Sequence, residues 1–468
     1  MLINITKINL NPNVGGGKPI ELENKEITIT ENGTTTVVPS DGFGGMSSVD
    51  IDVYIANPAE EIDFSEIGYD ATDNQNANMA IQDGIEYAKK IQAEYTDSKT
   101  YRDDGRLIYF PMVDSSNRTS CADLFNGCGG LQYVPPLTIS NKCTAMYRMF
   151  SNCKALTYLD VSNFDTSNII SIREMFLNCQ SLKELDLSSW DTSSLTTLGG
   201  DYTDTYPFYN MTNLQSINLT GWNISKVTKL NNLFYECNSL SEIKGIENFD
   251  TSNIITAYNM FYDCKSLTTL DLSNWNTSNF TNINYMFADC SSLTSLDLSN
   301  WNTSNLTKLN SIFSYCTSLS EIKGIENFDT SNISTMERTF YECKSLTTLD
   351  LSNWNTSNLT NINYMFANCS SLTSLDLSSW DVQNITIYDN TFSYCSNLTN
   401  FQAPQNINAR ISFSNCNKLT VDSILSILNN LTDRTSTTSL TCTLGSTNLN
   451  KLTAEQKAIA TSKNWVLQ

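Results

Sequence analysis

The cysteines of this 468-residue chain recur at a nearly fixed interval. Eleven of the 14, with Met211 in place of one more, mark a repeat that runs from Cys128 to Cys416. The spacing is most regular from Cys237 to Cys395, where each unit has a length of about 26 residues, within the range of leucine-rich repeats. A fixed period of this kind is typical of a solenoid, in which one small unit is stacked on copies of itself. The spacing therefore predicts one elongated repeat body rather than several compact domains.

The first half of each unit carries the leucine pattern of a leucine-rich repeat. In the unit that begins at Cys264, Leu267, Leu270 and Leu272 give the spacing L-x-x-L-x-L. This pattern predicts a short strand over residues 269–273. Because side chains alternate along a strand, Leu270 and Leu272 should point into the core and the residues between them should point outward.

The second half of the unit should return the chain to the core. Ile283, Met286 and Phe287 follow the i, i+3, i+4 spacing of a helix, and Cys290 then closes the coil as a small buried residue. The sequence thus predicts a repeat solenoid of α/β, leucine-rich-repeat type. One further position of the unit is aromatic and predicts a buried column: Trp190, Trp222, Trp275, Trp301, Trp354 and Trp380, with Phe164, Phe249 and Phe328 in other units.

A longer period is superimposed on the coil repeat. Residues 237–315, the first block, and residues 316–394, the second block, are equal in length and closely alike in sequence. Both begin with a variant unit that contains Ser-Glu-Ile-Lys-Gly-Ile-Glu-Asn-Phe-Asp, and an added residue makes this unit longer than the units that follow it. The copies indicate a duplication and a fold that lengthens without redesign.

The motif Met-Phe-x-x-Cys-x-Ser-Leu-x-x-Leu-Asp-Leu-Ser-x-Trp-x-Thr-Ser resembles the BspA-like leucine-rich repeats, and the resemblance covers about residues 120–415. Such repeats occur in bacterial surface proteins, in mycoplasma-type lipoproteins and in proteins encoded by phages of gut bacteria. The resemblance implies adhesion or protein binding, and it implies no shared catalytic residues.

The N-terminal region differs from the repeats. Alternating residues on either side of Asn32-Gly33 predict a β-hairpin, and a further strand is expected over 49–55. The stretch 27–55 resembles a small module of phage structural proteins, and residues 62–69 resemble a segment that precedes such repeats in phage-encoded proteins. We therefore expect a small N-terminal β module at 1–58, which anchors the chain, and a helical linker and N-terminal cap at 59–119, with a helix over 76–96.

The last part of the chain should close the solenoid. We expect the repeats to occupy 120–416 and an α/β C-terminal cap to occupy 417–468, since terminal repeats need a polar outer cover. The pattern there predicts a helix over 421–431, a strand over 439–444, a helix from a capping box at Thr453 to about Ser462, and a final strand at 465–467.

Composition excludes several kinds of chemistry. The chain has no histidine, which removes the commonest general base and metal ligand. The cysteines form no Cys-x-x-Cys motif and are expected to be reduced, buried and inert, with disulfides between adjacent coils as the alternative. A net charge of −21 is unsuited to nucleic acid. Asp70–Asn76 resembles a calcium loop only loosely. From these observations together we predict no bound metal, no cofactor and no enzymatic activity.

One column of acidic residues is the candidate binding face. Its members share one strand position and should all face outward: Asp160, Asp186, Asp271, Asp297, Asp350 and Asp376, with Thr269 beside them. Adjacent copies would lie about 5 Å apart, where like charges destabilise a sheet. Either solvent, neighbouring hydroxyls and Lys244 and Lys323 relieve this repulsion, or the column binds a cationic partner, a divalent ion or a glycan.

These features favour a non-enzymatic phage virion structural protein, such as a head or tail fibre, a spike or a capsid-decoration subunit. The N-terminus shows no signal-peptide pattern, so we expect synthesis in the host cytoplasm and a place in the virion. The N-terminal module would bind other virion proteins, and the solenoid would bind a host surface glycan or protein. We expect neither nucleic-acid binding nor membrane insertion. A homo-oligomer is compatible with the sequence. The alternatives are a bacterial cell-surface adhesin and, less favoured, a tail-associated polysaccharide depolymerase.

Overall fold

The computed structural model describes residues 27–31, 34–38, 118–134, 137–199, 206–388 and 390–468. One compact unit contains a hairpin of β1 (Ile27–Glu31) and β2 (Thr34–Val38), which pair antiparallel. This pairing confirms the predicted hairpin around Asn32-Gly33. The strand expected over 49–55, the segment 62–69, the loop 70–76 and the helix over 76–96 lie outside the described residues.

The second unit is a β-solenoid, in which the chain makes about 13 turns. Most coils contribute a strand of two or three residues with one buried side chain. The strands are β3 (Tyr133–Val134), β4 (Tyr158–Leu159), β5 (Glu184–Asp186), β6 (Ser216–Asn218), β7 (Glu242–Lys244), β8 (Ser295–Asp297), β9 (Glu321–Lys323), β10 (Ser374–Asp376), β11 (Asn400–Gln402) and β12 (Ile411–Ser412). All pairs within the coils are parallel, as stacking of identical units requires.

The strands form short sheets rather than one continuous sheet. The pairing runs β5-β6-β7, then β8-β9, then β10-β11, and it stops after each variant coil. In those coils Gly245 and Gly324 adopt positive φ and are followed by 3-10 turns at Ile246–Asn248 and Ile325–Asn327. The strand predicted over 269–273 is wrong, since the coil that follows each variant coil forms no strand at this position. Leu272 is still buried, and Leu270 is only half-buried.

The second half of the unit is not helical. Ile283, Met286 and Phe287 are buried as expected, but Tyr285 and Asp289 adopt the left-handed conformation, with φ of 58° and 62°. Alternate N–H groups of this segment therefore bond to the next coil, and the others bond to the carbonyl three residues earlier and close four-residue turns. The predicted leucine-rich-repeat solenoid is confirmed, with turns in place of a helix in this half of the unit, because apolar spacing alone does not reveal left-handed residues.

Three columns of side chains fill the solenoid core. Phenylalanine rings stack from coil to coil at centroid distances of 4.9 to 6.0 Å, from Phe125 to Phe413. The predicted tryptophan column is confirmed as core, since every member is at most 5% exposed. The repeat cysteines are also buried, and from Cys153 to Cys416 each thiol donates a hydrogen bond to a phenylalanine carbonyl of the preceding coil, as from Cys290 to Phe261 at 3.1 Å. This bond explains why a small sulfur donor recurs there.

The C-terminal residues contain the elements that the sequence predicts. They are α1 (Val421–Asn430), β13 (Leu440–Thr443), α3 (Ala454–Thr461) and β14 (Trp465–Leu467), and a short helix that was not predicted, α2 (Ser446–Leu449), lies between β13 and α3. Parallel pairing of β12 with β13 and of β13 with β14 continues the stack, and Thr453 and Gln456 form the expected capping box. Among the described residues, no helix has the length and apolar character that a membrane span requires.

Candidate functional site

The predicted acidic column lies at the surface of the solenoid. Thr269 and five of the six aspartates are exposed, and Asp160 is half-buried. Each aspartate accepts a hydrogen bond from the backbone N–H two residues later, as at Asp271, where the N–H of Ser273 lies 3.0 Å from Oδ1 and its hydroxyl 2.7 Å away. The other aspartates bond Ser162, Ser188, Ser299, Ser352 and Ser378 in the same way. The column thus stabilises the turn that ends each strand.

Neutral and basic residues interrupt the column, which limits the expected repulsion. In coil order it reads Asp160, Asp186, Asn218, Lys244, Asp271, Asp297, Lys323, Asp350, Asp376 and Gln402, so that no more than two acids adjoin. Hydrogen bonds from the hydroxyl and the backbone N–H of Ser273 lower the pKa of Asp271 despite the neighbouring charge of Asp297. A binding role for this face stays a prediction, and its geometry has a sufficient structural explanation.

In the described coils, the surroundings of the repeat thiols disfavour the thiolate form that nucleophilic chemistry requires. Burial raises the pKa of the Cys237 thiol to about 12, and the other repeat thiols with resolved shifts move in the same direction. Outside the repeat positions, a hydrogen bond from Cys121 lowers the pKa of Cys143 to about 7. The part of the chain that the structure describes has no group of three or more Cys, Asp or Glu side chains able to hold a metal ion.

A pocket that the sequence analysis did not single out lies on the face formed by the Phe-x-x-Cys turns. Its volume is about 360 Å³, which is at the lower end of ordinary ligand pockets. We call it the tyrosine pocket, and its lining residues are Tyr262, Tyr285, Ala288, Asp289, Ser311, Ser314, Tyr315, Arg338, Tyr341 and Tyr364. Five of the ten are tyrosines.

The pocket exists because a stack of tyrosines is interrupted. At the residue after the core phenylalanine, Tyr209, Tyr235 and Tyr262 form a tyrosine ladder, with ring centroids 4.6 and 4.7 Å apart. The next two coils place Ala288 and Ser314 at this position. These residues are buried and form the floor of the pocket, and the following coil places Tyr341 there again. Two small residues therefore leave the space of two missing rings.

The tyrosines at the sides of the pocket stand on unusual backbone. Tyr285, Tyr315 and Tyr364 have φ of 58°, 61° and 57°, where other coils use residues such as Asn259 and Asp263 that tolerate this conformation better. Tyr285 and Tyr315 are each 41% exposed. The left-handed conformation recurs at these two positions in the other coils, so the repeat imposes it, and at the pocket it carries large aromatic rings.

Backbone bonds to the next coil fix these side chains in place. The N–H of Tyr285 donates to the Asn310 carbonyl at 3.0 Å, and that of Tyr315 donates to the Tyr341 carbonyl at 2.7 Å. The guanidinium of Arg338 lies 5.0 Å from the centroid of the Tyr364 ring and donates to Glu337 at 2.9 Å. The pocket is thus held by the solenoid rather than by a free loop, which favours preorganised binding.

The pocket has few polar side chains, and they differ in charge and in burial. Asp289 is half-buried, and burial raises the pKa of its carboxyl, to which the charge of Asp263 adds. The Asp289 N–H donates to the Ser314 carbonyl at 2.7 Å. The buried residues Ser311 and Ser314 contribute hydroxyl groups to the lining. The lining therefore combines aromatic surface with a carboxylate, a guanidinium and hydroxyls, and it suits binding of a ligand that has both apolar faces and hydroxyl or amide groups.

The sequence contains a signal for this pocket. The motifs Phe-Tyr-Asp-Cys, Phe-Ala-Asp-Cys, Phe-Ser-Tyr-Cys and Phe-Tyr-Glu-Cys follow one another from Phe261 to Cys343. Alignment of these coils shows the gap in the tyrosine ladder and the shift of one tyrosine to the next position.

Closed coils with a buried leucine, phenylalanine and tryptophan core define the chain as a leucine-rich-repeat solenoid. A family model described as "Mycoplasma protein of unknown function, DUF285" matches residues 144–206, 203–323 and 319–424. The chain belongs to this family, as the resemblance to BspA-like repeats implied. No curated protein gives a significant match.

Three solved structures are similar to the chain in fold. A leucine-rich cell surface protein of Faecalibacterium prausnitzii A2-165 is 17% identical, with 64% of this chain and 79% of that one covered and a TM-score of 0.30. A leucine-rich-repeat protein of Leptospira interrogans is 14% identical, with 74% and 86% covered and a TM-score of 0.27. The leucine-rich-repeat protein of T. pallidum is 16% identical, with 35% and 72% covered and a TM-score of 0.19. These values carry no information about a ligand.

Proposed function

We propose that the chain is a non-enzymatic binding protein that attaches to a partner surface through the tyrosine pocket. The observation that supports this most is a preformed pocket of about 360 Å³ with five tyrosines, two of them exposed on left-handed backbone. Aromatic residues dominate the energetics of binding surfaces because they bury a large area at a low cost in conformational entropy.

The pocket argues against the alternative of a polysaccharide depolymerase. Glycoside hydrolysis ordinarily needs two carboxyl groups on either side of the scissile bond. Asp289 is the one carboxylate among the residues that line the pocket. Asp263 lies outside the lining and is held by Lys265 at 2.8 Å and by the amide of Asn238. Incubation of the protein with host capsule should therefore release no oligosaccharide.

The place of action is a second part of the proposal. We propose that the protein is a virion fibre, spike or decoration subunit, with the N-terminal module bound to other virion proteins. The resemblance of residues 27–55 to phage modules supports this, and the hairpin of β1 and β2 fits it. The competing location is the surface of a bacterial cell. Detection of the protein by mass spectrometry in purified particles, or instead in a cell-envelope fraction, decides between them.

Binding of the purified protein to intact gut bacteria and to intestinal mucin tests the proposed function. We expect Tyr315→Ala to reduce retention about tenfold, because it removes an exposed ring from the pocket. Tyr158→Ala is the matched control, since Tyr158 is 51% exposed and lies on β4, outside the pocket. Equal retention of both variants and the unchanged protein would exclude the pocket as the attachment site.

A further inference from the structure

We infer that the ligand of the tyrosine pocket is a neutral glycan whose chain lies along the solenoid axis, with one sugar ring stacked on the outer face of Tyr262. This inference rests on the proposed function and names the ligand class for the same pocket. It depends on the geometry of the tyrosine ladder, on the polar groups beside it and on the repetition of the pocket residues in the second block.

The tyrosine ladder ends in a ring with one free face. Tyr235 covers one face of Tyr262 at 4.7 Å, with an angle of 9° between the two ring planes. The other face looks along the stack toward Ala288, which carries no ring. A flat six-membered ring at this place would continue the ladder at a stacking distance that aromatic rings favour. A pyranose has such a face, made of its axial C–H groups.

The edge of a pyranose is hydroxylated, and the polar residues of the pocket fit this edge. The Asp289 carboxylate can accept hydrogen bonds from a pair of sugar hydroxyls, and the hydroxyls of Ser311 and Ser314 can donate or accept. Arg338 lies at the far side, where it stacks on Tyr364 and can donate to a ring or hydroxyl oxygen. Aromatic faces with polar groups at their edges provide both contacts that a neutral sugar needs.

Charge argues against anionic ligands. Arg338, the cation of the lining, pairs with Glu337 at 2.9 Å. Two lysines that directly follow Phe-x-x-Cys turns are also paired, Lys265 with Asp263 at 2.8 Å and Lys344 with Glu342 at 2.7 Å. Asp289 adds a further negative charge to the lining. Nucleic acids and acidic polysaccharides would meet repulsion here, so a neutral ligand is favoured.

The second block repeats the pocket residues three coils further on. The equivalent positions of the two blocks pair Tyr262 with Tyr341, Tyr285 with Tyr364, Ala288 with Ala367, Ser314 with Ser393 and Tyr315 with Tyr394. Ala367 and Ser393 are again buried, and Tyr394 is 56% exposed. Three steps of stacked strands cover about 14 Å, a distance that a tetrasaccharide spans. One extended glycan can therefore contact both sets of residues.

Two lining residues differ between the two sets. Asp289 corresponds in the second block to Asn368, which also has positive φ, and Ser311 corresponds to Asn390. An amide can both donate to and accept from sugar hydroxyls, so the second set retains the chemistry without the charge.

An array of immobilised neutral polysaccharides, comprising glucans, mannans, galactans and xylans, tests the ligand class. We expect the full chain to bind at least one of them and Tyr262→Ala to weaken that binding about tenfold, whereas Tyr262→Phe keeps it within about threefold because the ring face remains. Tyr209→Ala is the matched control, since Tyr209 is the other end of the same three-ring ladder and lies outside the pocket. Absence of binding to every polysaccharide, or equal loss in both alanine variants, overturns the inference.

Chain length tests the arrangement along the axis. Isothermal titration with a disaccharide and a hexasaccharide of the bound polysaccharide should give at least about tenfold tighter binding for the longer chain. Tyr394→Ala should weaken hexasaccharide binding and leave disaccharide binding unchanged. Equal affinities for the two lengths would contradict the axial placement.

Treatment of the target surface separates failure of this inference from failure of the proposed function. Periodate, which oxidises vicinal diols of glycans, should abolish attachment, whereas protease should not. If protease abolishes attachment that still depends on Tyr262 and periodate has no effect, the pocket binds a protein: the proposed function stands and the glycan inference is wrong.

Discussion

Two equivalent tryptophans of the duplicated blocks provide a quantitative test of the core. Trp301 in the first block and Trp380 in the second occupy the same position, and they are 5% and 0% exposed. The indole N–H of Trp380 donates to the Leu351 carbonyl at 3.1 Å. Within the described residues, the indole N–H of Trp301 has no hydrogen-bond partner. We attribute this to Phe280, whose ring packs edge-on against Trp301 at 6.3 Å where the second block has Leu359.

Substitution by phenylalanine should therefore affect the two sites differently. Both variants lose part of the ring area, so this loss largely cancels. Trp380→Phe also loses a buried hydrogen bond, worth about 1 kcal/mol. Trp301→Phe removes an N–H that is buried without a partner, which returns at least about 1 kcal/mol. Trp380→Phe should be the more destabilising by about 2 kcal/mol.

Calorimetric unfolding of both variants measures this difference, and amide hydrogen exchange in the flanking coils shows where stability is lost. A solenoid can unfold in segments, which broadens the melting curve. In that case the hydrogen-exchange data provide the comparison of the two variants. A lower unfolding free energy for Trp301→Phe than for Trp380→Phe would refute the hydrogen-bond reasoning. Phe280→Leu should also allow Trp301 to reach the Leu272 carbonyl.

Three further predictions concern the turns and the acidic column. Gly324→Ala should lower the melting temperature far more than Gly445→Ala: both glycines have positive φ, but an added Cβ would overlap the Ser299 backbone only at the first and meets nothing within 4 Å at the second. Asp271→Asn should preserve the turn, because Asn218 accepts the equivalent hydrogen bond at 3.1 Å, and it should also preserve attachment of the protein to its target. Asp271→Ala should lower the free energy of unfolding by about 1 kcal/mol in a denaturant titration. Serine hydrogen bonds lower the pKa values of several aspartates of the acidic column in the folded state. The stabilisation from these bonds is therefore present above the unfolded-state pKa of about 4 and is lost as the pH falls through the folded-state pKa values. The melting temperature should fall in that pH window when it is measured down to about pH 2, and a flat profile would show that these bonds do not stabilise the fold.

The core of the fold could be predicted because it depends on single positions that recur. A buried cysteine, tryptophan or leucine is visible in every coil, and the C-terminal helices carry their own caps. The conformation of the second half-unit could not be predicted in this way. Tyr285 and Asp289 have left-handed backbone, although the apolar residues of this segment, Ile283, Met286 and Phe287, have the spacing of a helix.

The candidate site was hidden for a different reason. The acidic column is a recurring motif, so it drew attention, and the structure gives its carboxylates a local role in the turns. The tyrosine pocket is an interruption in a pattern, and its residues come from five successive coils. Only the stacking distance of the tyrosine ladder shows that Ala288 and Ser314 leave an open space beside Tyr262.

Chemical footprinting of tyrosines on the bound protein tests most directly whether the tyrosine pocket is the binding site, and it needs no knowledge of the ligand. The protein is nitrated in solution and again while attached to its target surface, and each tyrosine is quantified by mass spectrometry. Tyr285 and Tyr315, each 41% exposed, should lose most of their modification on attachment, and Tyr158, which is 51% exposed, should keep it. Unchanged modification of Tyr285 and Tyr315 in the attached protein would contradict the assignment of the pocket.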